Sequence, residues 1–128
     1  MAAGIELCAD ARVRSTLHGI EEITDSDKAG VDGKLLLLTV NSLSDALAHI
    51  RKYGAGLCEG IYTSSEENAR LFCSLADAGT VTYNAPFSRA NGFDAGLGAD
   101  VSIGTDKLRG RGPLGLSLLT TDKYILKG

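Results

Sequence analysis

The side chains best suited to hold a ligand lie between residues 84 and 111 of this 128-residue sequence. Asn84, Ser88 and Arg89 come first. Lys107, Arg109 and Arg111 follow, interleaved with Gly110 and Gly112. Cations beside glycines suit an anion, because guanidinium and ammonium groups donate charge-assisted hydrogen bonds and glycine lets backbone N–H groups approach. The plainer reading of the same residues is a loop whose cations are solvated. Gly96-Leu97-Gly98 opens like a dinucleotide-binding fingerprint, but Val101 stands where the third glycine belongs and no strand immediately precedes it. A turn is expected there.

Nothing in that stretch is an obvious nucleophile or base. The three cysteines lie elsewhere, and a reactive thiolate needs an electropositive, partly exposed setting. Cys73 falls on the apolar face of a helix and is expected in the core. Cys58 alternates within a strand beside Glu59, whose charge raises a thiol pKa, and Cys8 has Glu6 and Asp10 nearby. None is expected to be catalytic. Their odd number and lack of metal-ligand spacing point to reduced thiols, and His18 and His49 are too isolated for a zinc site. His49 belongs to a solvated helix flank.

Composition sets the class. At 44% hydrophobic, 23% charged and a net charge of −3, the chain suits one globular domain rather than a disordered segment or a basic nucleic-acid-binding module. No apolar run approaches the roughly 20 residues that span a bilayer. Met1-Ala2-Ala3-Gly4 leads into Glu6 and Asp10 without a signal-peptide pattern, so a cytoplasmic protein is expected.

The elements that must position these residues come in four parts. Residues 1–33 are a weakly patterned lead-in, with a short strand at Ile5 to Cys8, a helix capped by Asp10, and a polar connection from Glu21 to Gly33. Residues 34–83 form a βαβαβ core. Leu35 to Val40 is a continuous apolar run, as in a strand buried on both faces. Ser42, with Asp45 three residues on, caps a helix whose Leu43, Ala46, Leu47 and Ile50 share one face, and Gly54 stops it. Leu57 to Thr63 is the next strand. Ser64 and Glu67 cap a second helix burying Ala69, Phe72, Cys73, Leu75 and Ala76, and Thr80 to Tyr83 is the third strand. Right-handed crossovers then give an α/β fold with a parallel sheet. Residues 84–116 are a long glycine-rich loop, of a length that is usually functional or disordered. Residues 117–128 close the chain with a strand that needs a partner edge.

Several of these stretches resemble γ-glutamyl phosphate reductase, of the aldehyde dehydrogenase superfamily. Ser42 to Ile50 with Tyr53-Gly54, then Gly92-Phe93, then Gly96 to Asp100 carry part of the likeness. The most specific segments are Thr105 to Leu108, Arg111 to Leu116 and Leu119 to Tyr124. It extends back to Gly4 to Leu7 and is confined to the C-terminal part of the enzyme. The resemblance implies a catalytic-domain core of the aldehyde dehydrogenase type. The whole enzyme uses NADPH to reduce γ-glutamyl phosphate to glutamate semialdehyde in proline biosynthesis, through a cysteine thiolate that displaces phosphate. It further implies that the cofactor domain and that cysteine precede the region matched here. No catalytic residue and no cofactor are therefore expected in these 128 residues, and the chain alone is expected to be inactive. A β-strand arm pairs subunits in the family, which makes Thr120, Thr121, Tyr124, Ile125 and Leu126 interface candidates. The partner is then a second copy or a full-length reductase. The sequence departs from the family at the ligand loop, with Pro86-Phe87-Ser88-Arg89 for Ser-Thr-Arg-Phe and Arg109-Gly110-Arg111 for His-Ala-Arg. Ala95 replaces Phe and Asp100 replaces Glu. Drift there, beside a kept core pattern, suggests a fold retained after the original activity was relaxed. Two other readings stand beside this one: a non-catalytic binding or regulatory module, and an excised domain of a full-length active reductase.

Overall fold

In the computed structural model, which describes residues 4–23, 33–98, 101 and 110–128, contacts divide the chain into two units, Met1–Ala46 and Leu47–Gly128.

The first unit is organised by strand β1 (Glu6–Ala9) and the aspartate that follows it. Parallel strands β2 (Glu21–Glu22) and β3 (Lys34–Leu37) flank β1 in the order β2-β1-β3. Cys8 and Ala9 are buried in the middle. Asp10 caps helix α1 (Ala11–Arg14): one carboxylate oxygen accepts from the Val13 N–H at 2.8 Å, while the other accepts from the Thr39 N–H at 2.6 Å. The Val13 and Thr39 N–H donors hold this carboxyl below its ordinary 3.8. An ion pair of Lys34 Nζ with Glu6 Oε1 at 3.0 Å fixes the β1–β3 register. The strand at the start of the chain and the Asp10 cap are thus where the sequence puts them. The polar connection is corrected in part, because Glu21 and Glu22 pair with Cys8 and Ala9; residues 24–32 lie outside those described.

Helix α2 (Leu43–Tyr53) runs across the unit boundary. The Ser42 hydroxyl caps it, accepting from the Asp45 N–H at 3.1 Å, and the Gly54 N–H closes it on the Ile50 carbonyl at 2.7 Å. His49 is half-buried and tilts against Tyr53, ring centroids 4.8 Å apart, rather than standing in solvent.

In the second unit, strands β4 (Cys58–Ile61) and β5 (Thr80–Tyr83) are parallel, with helix α3 (Glu66–Leu75) between them in sequence. Gly60 faces Thr82 in the ladder. The α3 cap is Ser65, accepting from the Asn68 N–H at 3.2 Å, one residue beyond the expected Ser64 and Glu67 pair. The Thr63 hydroxyl fixes the turn by accepting from the Ser65 N–H at 3.1 Å. Ala69 and Phe72 are buried, but Cys73 and Leu75 are exposed. The buried face of α3 is a narrow stripe of Ala69 and Phe72, with the half-buried C-cap Ala76 in line beyond it, and 73 and 75 fall on either side at 100° per residue.

Three expectations about strands are corrected. The single βαβαβ sheet is two hydrogen-bonded sheets: β3 pairs with β1, and β4 pairs with β5. Leu35 to Val40 is also not buried on both faces, since Leu35 is 50% exposed and Leu38 and Val40 are exposed too. The strand stops at Leu37, because Asp10 takes the Thr39 N–H. At the end of the chain, Leu116–Leu118 is a 3-10 turn, and residues 119–128 form no strand. A strand exists only where a ladder partner accepts it, and this segment pairs with none of the described residues. No helix among the described residues is long and apolar enough to cross a membrane.

Candidate functional site

The β4–β5 pair has two ends, and the sequence candidates are divided between them. At the carboxyl ends of the strands, Asn84 adopts a left-handed backbone with φ 47°. Its N–H donates to the Ile61 carbonyl at 2.9 Å. Its side chain accepts from the Thr63 N–H and donates to the Thr63 carbonyl, each at 2.9 Å. This amide is spent on the backbone rather than offered to a ligand. The 3-10 turn Phe87–Arg89 follows directly, and the Phe87 ring covers Gly60. A Cβ on Gly60 would stand 2.6 Å from that ring and would also collide with the Thr82 hydroxyl, so only glycine fits there.

Asn91 holds the next turn. Its amide donates to the Ser88 carbonyl at 2.7 Å and to the Asp94 carboxylate at 2.9 Å, and its oxygen accepts from the Phe93 and Asp94 N–H groups. Arg89 stands over the same turn, 4.0 Å from the Asp94 carboxylate, with most of its side chain exposed. Asn84, Ser88 and Arg89 are therefore brought to one edge. It is the edge at which open α/β sheets bind ligands, beyond the carboxyl ends of the strands.

Arg111 lies at the other end. Its guanidinium pairs with Asp77 at 2.7 Å, with the arginine side chain only 13% exposed. The Thr80 hydroxyl, at the first residue of β5, donates to the neighbouring Gly112 carbonyl at 3.4 Å. A Cβ on Gly79 would sit 2.7 Å from Arg111 Cβ and 2.9 Å from the Gly112 carbonyl, so the chain passes in close contact. A cradle combining Arg89 with Arg111 is corrected: a four-residue ladder, roughly 13 Å long, separates them. Lys107 and Arg109 lie outside the described residues.

A cavity of about 210 Å³ opens beside Arg111, walled by Leu47, Ile50, Gly54, Glu59, Leu75 and Asp77 among others. Burial raises the Glu59 carboxyl above its ordinary 4.5. The sequence singles out Glu59 only as a charge beside Cys58, and nothing in it singles out Asp77. No spacing signal connects Asp77 with a residue 34 positions later.

The thiols are not set up as nucleophiles by their neighbours at Cys8 and Cys58. The buried Cys8 thiol donates to the Glu6 carboxylate at 3.8 Å. Burial, and then the Glu59 charge, push the Cys58 thiol upward, as its sequence position suggests. Cys73 lies on the exposed side of α3. Glu6, Cys8 and Glu21 place three ligand-type atoms within 4.8 Å of one another, but Lys34 already neutralises Glu6 there.

Fold and site together define an α/β protein with parallel sheets and a polar loop at the carboxyl ends of one strand pair. The particular likeness is to γ-glutamyl phosphate reductase. The enzyme of that name from Heliobacterium modesticaldum is 43% identical over 126 residues, 97% of this chain and 30% of that protein. The Thermobifida fusca enzyme is 41% identical over 128 residues, 98% of this chain and 31% of its own length. The crystal structure of the Thermotoga maritima γ-glutamyl phosphate reductase superposes with a TM-score of 0.82 at 29% identity. It covers 98% of this chain and 32% of that one. No family model matches. The chain is a partial match, spanning about 30% of the length of the curated relatives it resembles.

Proposed function

We propose that this chain is a γ-glutamyl phosphate reductase-like protein that supplies the substrate-side edge of the catalytic fold and does not run the reductase reaction by itself. The observation that carries this reading is the coverage: nearly all of the chain matches, against under a third of each relative. In such enzymes NADPH reduces γ-glutamyl phosphate to glutamate semialdehyde after a cysteine thiolate displaces phosphate. That step needs an ionisable thiol, and burial with the Glu59 charge works against one at Cys58. The Ser88 and Arg89 edge, held by Asn84 and Asn91, is the part of this chain that faces the substrate's charged groups.

The reaction read in reverse gives the test. Purified chain is incubated with glutamate semialdehyde, phosphate and NADP, and NADPH absorbance is followed. No turnover is expected; measurable turnover that requires phosphate overturns the proposal.

A second reading rests on the exposed end of the chain. Tyr124, Ile125 and Leu126 are 87%, 82% and 96% exposed. Such apolar exposure supports pairing of the Thr120 to Leu126 segment, Thr121 included, with a second copy or with a full-length reductase in the cytoplasm. Light scattering checks it: a monomer at high concentration, with no co-elution with the full-length enzyme, removes this reading.

A further inference from the structure

The cavity at the amino ends of β4 and β5 plays no part in the reductase reading, and it sets carboxylates beside arginines. We propose that it binds a small organic ammonium ion, with the Glu59 carboxylate as counter-charge.

The topology sets the electrostatics first. In parallel β-α-β units the helices finish where the strands begin, and both α2 and α3 end at this cavity through Ile50 and Leu75. A helix C-terminus carries about −0.5 of an elementary charge on its last carbonyls. Two carboxylates, Glu59 and Asp77, add to that. The helix ends and the carboxylates favour a cation, and the arginines of the lining oppose it.

Two arginines, Arg111 and Arg51, also line the cavity. Arg111 is committed to Asp77 at 2.7 Å and is largely buried in that pair. Arg51, in the last turn of α2, is exposed. Glu59 is half-buried and is paired with no cation among the described residues. Burial alone raises its carboxyl, so a bound ammonium restores the charge that desolvation disfavours.

Shape then limits the ligand. Gly54 lets the Glu59 carboxylate pack against the end of α2: a Cβ there would stand 2.7 Å from Glu59 Oε1 and 2.6 Å from the Ile50 carbonyl, so a larger residue would crowd the carboxylate. Leu47 and Leu75 wall the cavity for a short alkyl body. At about 210 Å³ it falls below the roughly 300–1,000 Å³ of sites for drug-sized ligands. A primary amine of a few carbons fits.

The experiment titrates the isotope-labelled chain with n-propylammonium chloride and follows backbone amide NMR signals, with sodium propionate as the anionic isostere and sodium chloride as the ionic-strength control. Saturable shifts at Gly54, Gly56, Glu59 and Asp77 are expected with propylammonium only. Glu59→Gln is expected to weaken binding by about tenfold or more, and Arg51→Gln to leave it intact or strengthen it. Binding is expected to fade as pH drops through the raised Glu59 value, in the presence of the Arg51, Arg111 and Asp77 charges that face it. Equal shifts with propionate or sodium chloride, or an unchanged Glu59→Gln titration, overturn the proposal. Should Glu59→Gln fail to fold, Glu59→Asp, which draws the charge back by one methylene, must weaken binding in the same direction; unaltered affinity refutes the site.

Discussion

The Asn84 carboxamide grips the Thr63 backbone at two points, accepting from its N–H and donating to its carbonyl, both at 2.9 Å. The bracket ties the exits of β4 and β5 together and sets the start of the turn that carries Ser88 and Arg89. It also holds Asn84 at φ 47°, a conformation that asparagine and glycine tolerate and alanine resists. Asn84→Ala is expected to cost about 2–3 kcal/mol, two hydrogen bonds plus a left-handed alanine, and Asn84→Gly about 1–2 kcal/mol. Urea midpoints rank the two; a glycine variant less stable than the alanine one would show that the backbone conformation is not what asparagine provides.

Thr82 and Gly60 make a separate prediction. The Thr82 hydroxyl is buried with no hydrogen-bond partner among the described residues, so it costs desolvation and returns nothing. Thr82→Val keeps the shape and is expected to stabilise the fold by about 1 kcal/mol. Gly60→Ala drives a methyl into the same hydroxyl and the Phe87 ring, and is expected to destabilise by about 1–3 kcal/mol. Thermal unfolding reads both, and loss of stability in Thr82→Val would mean the hydroxyl has a partner after all.

Breaking the Arg111–Asp77 pair should depend on which partner is removed. Asp77 is half exposed while Arg111 is mostly buried, so Asp77→Ala strands the guanidinium in a poorly hydrated place. A loss of about 1–2 kcal/mol is expected, with less for Arg111→Met, which keeps the packing stem and removes the charge. Chemical denaturation of the two variants tests the order.

Two carboxyls act oppositely on the pH profile. Asp10 is lowered from 3.8 by the Val13 and Thr39 N–H donors, so its stabilisation is complete above 3.8 and is lost as pH falls through the folded value. Glu59 is raised from 4.5 by burial. The folded state therefore holds its proton more tightly, and that contribution is lost as pH rises from 4.5 through the raised value. Denaturant midpoints against pH are expected to lose their acid limb below 3.8 in Asp10→Asn and their decline above 4.5 in Glu59→Gln.

Legibility followed the range of the forces involved. The Asp10 and Ser42 caps and the Gly54 stop are decided within one helical turn, and each is where the local pattern puts it. The α3 cap moved by one residue because Thr63, outside the usual capping pattern, fixes the turn. Cys73 came out of the core because helical spacing gives a stripe but not its width, which depends on what the helix packs against.

By itself the sequence determined the alternation of strands and helices, the likeness to γ-glutamyl phosphate reductase, and the poor prospects of Cys58 as a nucleophile beside Glu59. Local propensity suffices for the first and a neighbouring charge for the third, while the likeness rests on matching motifs. Tertiary structure alone decided that β3 pairs with β1 rather than completing one sheet, and that Arg89 and Arg111 stand at opposite ends of the β4–β5 ladder. Strand pairing and strand direction join residues far apart in the chain. Spacing along the sequence carries no record of which end of a strand a distant loop returns to.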